Sequence, residues 1–148
     1  MALSTAFSTD LVKLILSGTA IANIADNASA SPLTNLYFSL HTANPGAGGT
    51  QATSEVAYTG YARVAVARVA GSWAFTGINA SPNSSILFPE CTAGASSTAT
   101  WVGVGVAATG GAKLLLRGQI TSPAGGIVIA PGVTPYLKTG TVIKFLDA

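Results

Sequence analysis

Charged side chains are scarce in this sequence: Asp, Glu, Lys and Arg make up 8 % of its 148 residues, against about 25 % in an average soluble domain. The formal net charge is only +2, and the lysines are spread along the chain. A nucleic-acid-binding face needs clustered Lys and Arg, so we expect no nucleic-acid partner. A surface so poor in charge gives little electrostatic self-repulsion and suits a protein whose faces are covered by neighbouring subunits.

Cysteine and histidine occur once each, as Cys91 and His41. A single cysteine excludes an intrachain disulfide and therefore a disulfide-stapled secreted scaffold. A zinc site needs three or four ligands, which this pair cannot supply. The five carboxylates are not paired at close spacing, and no nucleophile motif accompanies His41. We therefore expect no catalytic residues, no metal and no cofactor, and we predict that the chain is not an enzyme.

Long apolar runs are also missing, since no stretch approaches the ~20 residues that span a bilayer. We expect no membrane partner. Residues 11–30 faintly resemble a signal peptide, but Asp10 precedes the apolar part and Lys13 interrupts it. We therefore expect this segment to belong to the mature protein.

One helix is predicted near the start, over "STDLVKLILSG" (residues 8–18), with Ser8 or Thr9 as its cap and Gly18 as its stop. Leu11, Leu14 and Ile15 form a stripe at helical spacing, with Val12 and Leu16 beside it. So apolar a helix is covered on most sides. It can pack on its own domain, or residues 1–18 can act as an arm that contacts a partner.

The sequence after the helix predicts short strands at roughly ten-residue spacing, separated by turns that contain Gly and Pro. The predicted strands are 36–42, 61–70, 72–77, 84–90, 99–108, 113–120, 127–130, 134–139 and 141–148. This pattern is typical of an antiparallel β-sandwich or jelly roll, here of about eight strands in a single domain over residues 1–148. Segments 61–70 and 72–77 can form a hairpin or one bent strand, and Gly118 is a candidate bulge.

Two glycine-rich stretches have different expected roles. Residues 43–53, "ANPGAGGTQAT", fit neither a phosphate-binding loop nor a dinucleotide fingerprint, so we interpret them as a flexible surface loop. In the strand "ATWVGVGVAA" (99–108), valines line one face and Gly103 and Gly105 the other. The glycine face is one that a backbone or a large side chain approaches closely.

The strand "YARVAVARVA" (61–70) places its two arginines on opposite faces. If Val64 and Val66 face the core, Arg68 lies at the strand end and Arg63 lies on the outer face beside Tyr61. A Tyr/Arg pair on an outer sheet face is typical of protein interfaces, although both arginines could simply be solvated. The candidate interface residues are Leu11, Leu14, Ile15, Tyr61, Arg63 and Arg68.

Several stretches taken in order resemble a known family: "STDLVKLILSGTA", "LYFSLHTANPGAGGT", "EVAYTGYARVAV", "NSSILFPECT", "TATWVGVGVAATGGAKLLLRGQIT" and "VTPYLKTGTVIKFLD". The chain is similar to small virion structural proteins of tailed bacteriophages, which are often labelled tail-fibre-like and include capsid cement, or decoration, proteins. The resemblance implies a virion structural role with no catalytic residues to carry over. His41 stands where many relatives would have Phe.

The leading hypothesis from the sequence is a capsid cement protein on the virion surface, made in the host cytoplasm. Its expected partners are the major capsid protein and further copies of itself, as a dimer or another symmetric oligomer. The alternative is a tail component such as a fibre, collar or adaptor subunit. A carbohydrate-binding module is a third hypothesis, in which Tyr58, Tyr61, Trp73, Trp101 and Tyr136 would form an aromatic platform. Burial of both Trp73 and Trp101 would exclude it.

Overall fold

The computed structural model describes residues 5–21 and 32–144, which contain one α-helix and eleven short strands. The helix α1 spans Thr5–Ser17. The strands are β1 (Asn35–His41), β2 (Val64–Ala67), β3 (Trp73–Thr76), β4 (Asn79–Pro82), β5 (Ile86–Leu87), β6 (Ser97–Ala99), β7 (Trp101–Gly105), β8 (Leu114–Gln119), β9 (Ile127–Ile129), β10 (Tyr136–Leu137) and β11 (Ile143–Lys144). The predicted class is confirmed: the protein is mainly β with one short helix, and its sheets are antiparallel, as in the predicted sandwich.

The chain divides into two compact units, each built from separate stretches of sequence. The first unit comprises Met1–Asn35, Ala67–Ile86 and Leu137–Ala148, and the second comprises Leu36–Val66 and Leu87–Tyr136. The single domain predicted over residues 1–148, with residues 1–18 as a helical arm, stays a prediction.

The main sheet has four strands in the order β2-β1-β7-β8. β1 and β7 pair antiparallel with Ser39 opposite Gly103 and Tyr37 opposite Gly105. The valine face of β7 is inward as predicted, with Val104 buried. Alternation along β1 places Leu36, Phe38 and Leu40 in the core, because successive side chains of a strand point to opposite faces. Ser39 and His41 on the opposite face are buried as well.

β8 pairs antiparallel with β7 and contains a bulge. Val104 lies opposite Leu116 and Gly105 opposite Leu114, so Leu115 is the extra residue. The prediction of a bulge at Gly118 is therefore wrong, since Gly118 pairs in regular register with Val102. Bulges are frequent at sheet edges, and β8 is the last strand of this sheet among the described residues.

Two further two-stranded ladders lie outside the main sheet. β6 and β9 pair antiparallel, with Thr98 opposite Val128. β5 and β10 pair with each other, and their ladder continues through backbone hydrogen bonds from Phe88 N–H to the Pro135 carbonyl and from Cys91 N–H to the Val133 carbonyl. The sequence predicted neither β6 nor β4 as a separate strand.

In the first unit, β11, β4 and β3 form a three-stranded antiparallel sheet. α1 lies against β3, β4 and the 3₁₀ turn Ala70–Ser72. Val12 and Leu16 of the helix are fully buried, and Trp73 and Ala80 of the sheet are buried too. The helix thus packs on its own chain, which was one of the two predicted arrangements.

The helix begins three residues earlier than predicted. Ser8 is buried inside α1, so neither Ser8 nor Thr9 is the N-cap. The predicted end is confirmed: Gly18 has φ +69°, and its N–H donates to the Leu14 carbonyl. A glycine in the left-handed region closes a helix in this way without a Cβ penalty.

Segment 61–70 is a strand only over Val64–Ala67, and the 3₁₀ turn Ala70–Ser72 follows it. β2 joins the main sheet, whereas β3 pairs with β4. Both predicted alternatives, a hairpin of 61–70 with 72–77 and one bent strand, are therefore wrong. Arg63 and Arg68 flank the strand instead of belonging to it, which removes the apparent conflict between their faces.

Candidate functional site

A group of buried and half-buried polar side chains lies on the face of β1 and β7 that carries the glycines, in the second unit. We call it the polar cluster; its members are Ser39, His41, Gln51, Glu55, Tyr61 and Arg63. Ser39 and His41 come from β1, whereas the other four come from residues 51–63, the segment between β1 and β2. The cluster therefore holds that long connection against the main sheet.

His41 is fully buried and both of its ring nitrogens have partners. Nδ1 lies 2.8 Å from the Thr53 carbonyl oxygen, which only accepts, so Nδ1 carries the hydrogen. Nε2 lies 2.8 Å from Ser39 Oγ and accepts the hydroxyl hydrogen in the neutral ring. Burial lowers the pKa of His41, partly opposed by the hydrogen bond to Thr53 and the nearby Glu55 carboxylate. His41 thus serves as a neutral connector between β1 and the following loop.

Gln51 is fully buried against the end of β7. Its Oε1 accepts hydrogen bonds from the N–H groups of Val106 and Ala107, each at 3.0 Å, and its Nε2 donates to the Ala107 carbonyl. The side chain therefore acts as a strand partner where β7 ends. The loop predicted to be a flexible surface segment over 43–53 is anchored at its C-terminal end, because Gln51 N–H also donates to the Ala112 carbonyl.

The two glycines of β7 make room for these side chains. A Cβ on Gly105 would overlap Gln51 Cδ, and a Cβ on Gly103 would lie 2.6 Å from His41 Nε2. The predicted close approach to the glycine face is confirmed, and its occupants are the polar cluster. Any larger residue at these positions would displace the groups that hold the loop.

Arg63 forms the centre of the cluster, with a side chain only 3 % exposed. Its Nε and Nη2 each lie 2.7 Å from a Glu55 carboxylate oxygen, which is the bidentate geometry that arginine prefers. Nη1 and Nη2 also donate to the carbonyls of Ala107 and Gly110. The Glu55 hydrogen bonds are the main cause of the raised pKa of Arg63.

Tyr61 completes the arrangement from the other side of Glu55. Its hydroxyl donates to Glu55 Oε1 at 2.8 Å and accepts from the Leu40 N–H at 3.1 Å. Its ring meets Tyr58 edge-on and stacks with Phe88. Burial strongly raises the pKa of Tyr61. The prediction that Arg63 lies on an outer face beside Tyr61 is wrong, because Arg63 is buried inside its own unit. A role of Tyr61 and Arg63 in an interface stays a prediction.

Arg68 lies in the first unit at the C-terminal end of α1. Its Nε and Nη2 donate to the carbonyls of Ile15 and Leu14 at 2.7 and 2.6 Å. The Ile15 carbonyl belongs to the last turn, where helical N–H partners run out, and the Leu14 carbonyl also accepts from the Gly18 N–H. A cation at this end also interacts favourably with the helix dipole. Arg68 thus fixes the end of α1. Whether it also contacts a partner stays a prediction.

The apolar stripe predicted on the helix is half-buried. Leu11, Leu14 and Ile15 are partly exposed, whereas Val12 and Leu16 beside them form the fully buried side. The structure therefore leaves part of the stripe accessible. A role for it in contacts with another subunit stays a prediction.

Sequence reasoning missed Gln51 and Glu55 as partners of predicted residues. Glu55 carried a usable signal, because it is the only acidic residue between Asp26 and Glu90 and precedes Arg63 by eight positions. A buried arginine needs a carboxylate, and this was the one within reach. Gln51 carried no comparable signal, since an amide inside a Gly/Thr-rich stretch is typical of an ordinary loop.

The comparison with protein families decides the class. A family model described as podophage GP4 fiber I protein gp80 matches residues 2–139. The chain belongs to this family. The predicted resemblance to tailed-phage virion structural proteins is confirmed at the level of a phage fibre-like structural protein. No curated protein matched the chain.

In this gp80-family chain the groups with reactive potential are enclosed. Cys91 is fully buried, and its thiol lies 3.5 Å from the Ala93 carbonyl oxygen. The described residues contain no group of three or more His, Cys, Asp or Glu side chains placed to hold a metal ion. Within the same residues, no helix has the length and apolar character needed to cross a membrane.

The aromatic residues considered for sugar binding differ in exposure. Tyr58 is buried, its hydroxyl donates to the Pro89 carbonyl at 2.8 Å, and burial raises the pKa of Tyr58 to about 12. Trp73 is buried, Trp101 is half-buried and Tyr136 is half-exposed. The condition that both tryptophans be buried is thus met for Trp73 and not for Trp101. Three of the five proposed platform rings, Tyr58, Tyr61 and Trp73, are committed to internal packing.

Proposed function

We propose that this chain is a non-catalytic structural subunit of the phage tail-fibre apparatus and assembles with further copies of itself. The observation that carries the proposal is the match of residues 2–139 to the podophage fiber I family. The family description favours the tail hypothesis over the capsid cement hypothesis that the sequence alone put first.

The chemistry of the described residues supports a structural role. The only histidine and the only cysteine of the chain are both fully buried. Both ring nitrogens of His41 are used in internal hydrogen bonds, so the ring is not free to take a proton from a substrate. The polar cluster likewise uses its charges to hold a loop in place. Such groups serve the shape of the subunit.

The described surface also fits a protein that contacts neighbours. Six large apolar side chains are at least 46 % exposed: Leu33, Val69, Leu87, Val128, Tyr136 and Val142. When a second subunit covers exposed apolar side chains, their removal from water contributes favourable free energy. On a sparsely charged surface, few charged groups have to be desolvated at the same time. This supports self-association and particle incorporation together.

The position in the particle can be tested by separating purified virions of the encoding phage into head and tail fractions. Quantitative mass spectrometry of each fraction then gives the copy number of the chain relative to the major capsid protein. We expect the chain in the tail fraction, at a small fraction of the capsid copy number. Hundreds of copies in the head fraction would establish the cement hypothesis instead, and absence from virions would contradict both.

A further inference from the structure

The β8 edge of the main sheet borders an open groove. Among the described strands β8 ends the four-stranded sheet, so only one of its sides is paired. The groove has a volume of about 290 Å³, and it is lined by Gly46, Ala47 and Gly49 of the loop and by residues 114–117 of the strand. All of these residues belong to the second unit.

The loop and the strand edge separate at a defined point. Gln51 N–H donates to the Ala112 carbonyl, and Thr50 forms an antiparallel bridge with Lys113. This bridge is an isolated one, and beyond it the groove opens between the loop and residues 114–117. An extended segment entering the groove would therefore continue a ladder that the chain itself begins.

The edge presents backbone groups to this groove. The Ile120 N–H donates to the Thr100 carbonyl, beyond the last pair of the β7–β8 ladder. Because peptide groups alternate along a strand, Leu116 and Gly118 point theirs toward β7, and Arg117 and Gln119 point theirs away. An open edge with outward N–H and C=O groups is a template for an added strand.

The charge near this edge has one sign. Arg117 lines the groove, and Lys113 is exposed just before the strand. The described carboxylates of this unit are Glu55, which is held by Arg63, and Glu90, which does not line the groove. Pairing the edge with the same edge of a second copy would bring these cations close to their equivalents, which is unfavourable.

We propose that the β8 edge, defined as residues 114–119 with the facing loop 46–49, binds an extended acidic segment of a partner protein by strand addition. Backbone hydrogen bonds supply the pairing, and Arg117 and Lys113 select for acidic side chains. The small residues of the loop leave the width that an added strand needs. This inference concerns binding by the purified chain and does not depend on where the chain lies in the particle.

The test is a titration of the ¹⁵N-labelled chain with a short capped peptide of alternating valine and aspartate, followed by amide chemical shifts. We expect shifts confined to residues 46–49 and 114–119, and weaker binding as salt is added. Arg117→Glu is expected to weaken binding at least about tenfold, as is typical when a favourable charge contact becomes repulsive. Lys138→Glu, the same charge change at an exposed site in the first unit, is the matched control and should bind normally.

Ala47→Trp provides a second, uncharged variant, because Ala47 is exposed and a large ring there fills the groove. It should also abolish the shifts. Binding of a valine–lysine peptide as tight as that of the acidic one would overturn the proposal. Equal binding of poly-aspartate would show that charge alone is recognised. Shifts at the β8 edge that depend on protein concentration without peptide would show that a second copy occupies it. Either result contradicts the proposal.

Discussion

At the scale of single residues, burial decides which of the few charged side chains stabilise the fold and which are available at the surface. The arginine interpreted as an interface residue is an internal crosslink, because its guanidinium contacts one carboxylate and two backbone carbonyls. A protein with so few charges uses one of its five carboxylates in this contact. The consequence is that substitution of Arg63 tests stability first and assembly only second.

We predict that Arg63→Ala lowers the free energy of unfolding by about 3 kcal/mol. The substitution leaves the Glu55 carboxylate, 16 % exposed, without its counter-ion. It also removes the donor to the Gly110 carbonyl and one of the two donors to the Ala107 carbonyl, which keeps Gln51 Nε2. Urea unfolding monitored by tryptophan fluorescence measures the loss. Arg117→Ala, an exposed strand arginine, is the matched control and should change stability by less than about 0.5 kcal/mol.

Removing both charged partners separates burial from pairing. The double substitution Arg63→Met with Glu55→Gln should cost less than Arg63→Ala alone, because no unpaired charge remains in the cluster. Equal stability losses for Arg63→Ala and Arg117→Ala would show that the buried ion pair contributes nothing measurable.

We predict a pH dependence of stability that belongs to His41. Burial lowers its pKa in the folded state, so below about pH 6.5, the pKa of an exposed histidine, the unfolded chain binds the extra proton first. Stability should therefore fall as pH drops from about 7 to 5, by at most about 1.4 kcal/mol per pH unit. At pH 8 the full stability is present. Chemical denaturation at a series of pH values measures the slope.

His41→Phe removes the titrating group while keeping a ring of similar size beside Gly103. Glu55 and Arg63, the charged groups that act on His41, are unchanged in this variant. We expect the slope between pH 5 and 7 to flatten even if the variant is less stable at pH 8, since Ser39 and Thr53 lose their partner. An unchanged slope would assign the dependence to other groups.

At the scale of elements, α1 shows how far periodicity reaches. Helical spacing identified an apolar helix ending at Gly18, and the structure confirms both. Spacing did not reveal which apolar residues face inward, because nearly every position in the run is apolar. The buried side is Ser8, Val12 and Leu16, which tertiary packing against β3 and β4 selects. Short strands such as β4 and β6 were not predicted, because their Ser, Asn and Ala side chains do not alternate between apolar and polar.

We predict that two leucines of α1 separate folding from assembly. Leu16→Ala should destabilise the chain by about 2–5 kcal/mol because its side chain is fully buried. Leu14→Ala, the same change at a half-buried site two positions earlier, should cost about 1 kcal/mol. If the stripe is an interface, Leu14→Ala should still lower incorporation into virions produced in infected cells.

Urea unfolding and the copy number per virion are the two measurements for this pair. Equal stability losses would contradict the assignment of the buried side. Full incorporation of Leu14→Ala would remove the stripe from the list of interface residues. The helix end itself should be unaffected, because Arg68 binds the Leu14 main-chain carbonyl.

At the scale of the whole molecule, composition and the pattern of short strands predicted the fold class, and the order of several stretches predicted the family. Low charge, many turn residues and short alternating runs indicated a mainly β structural protein, and the fold class and the family agree. The polar cluster could not be predicted, because the β1–β7 register and the loop between β1 and β2 bring its members together. The sequence of that loop has no periodic pattern from which its position could be derived. The two glycines of β7 were the one sequence feature that pointed to the cluster. They indicated that something approaches closely but not what.

The attachment of the turn after β7 has a consequence for variation. The side chains of Arg63 and Gln51 form hydrogen bonds with main-chain atoms of residues 106, 107 and 110 in this turn. Residues 108–110 are exposed. Main-chain atoms remain when side chains are replaced, so positions 108 and 109 can vary while the anchor points stay fixed. Gly110 is the exception, because its φ of +77° lies in the left-handed region that favours glycine. Mutations at the exposed positions of this turn can therefore change what the surface binds, while the contacts that hold the turn stay the same.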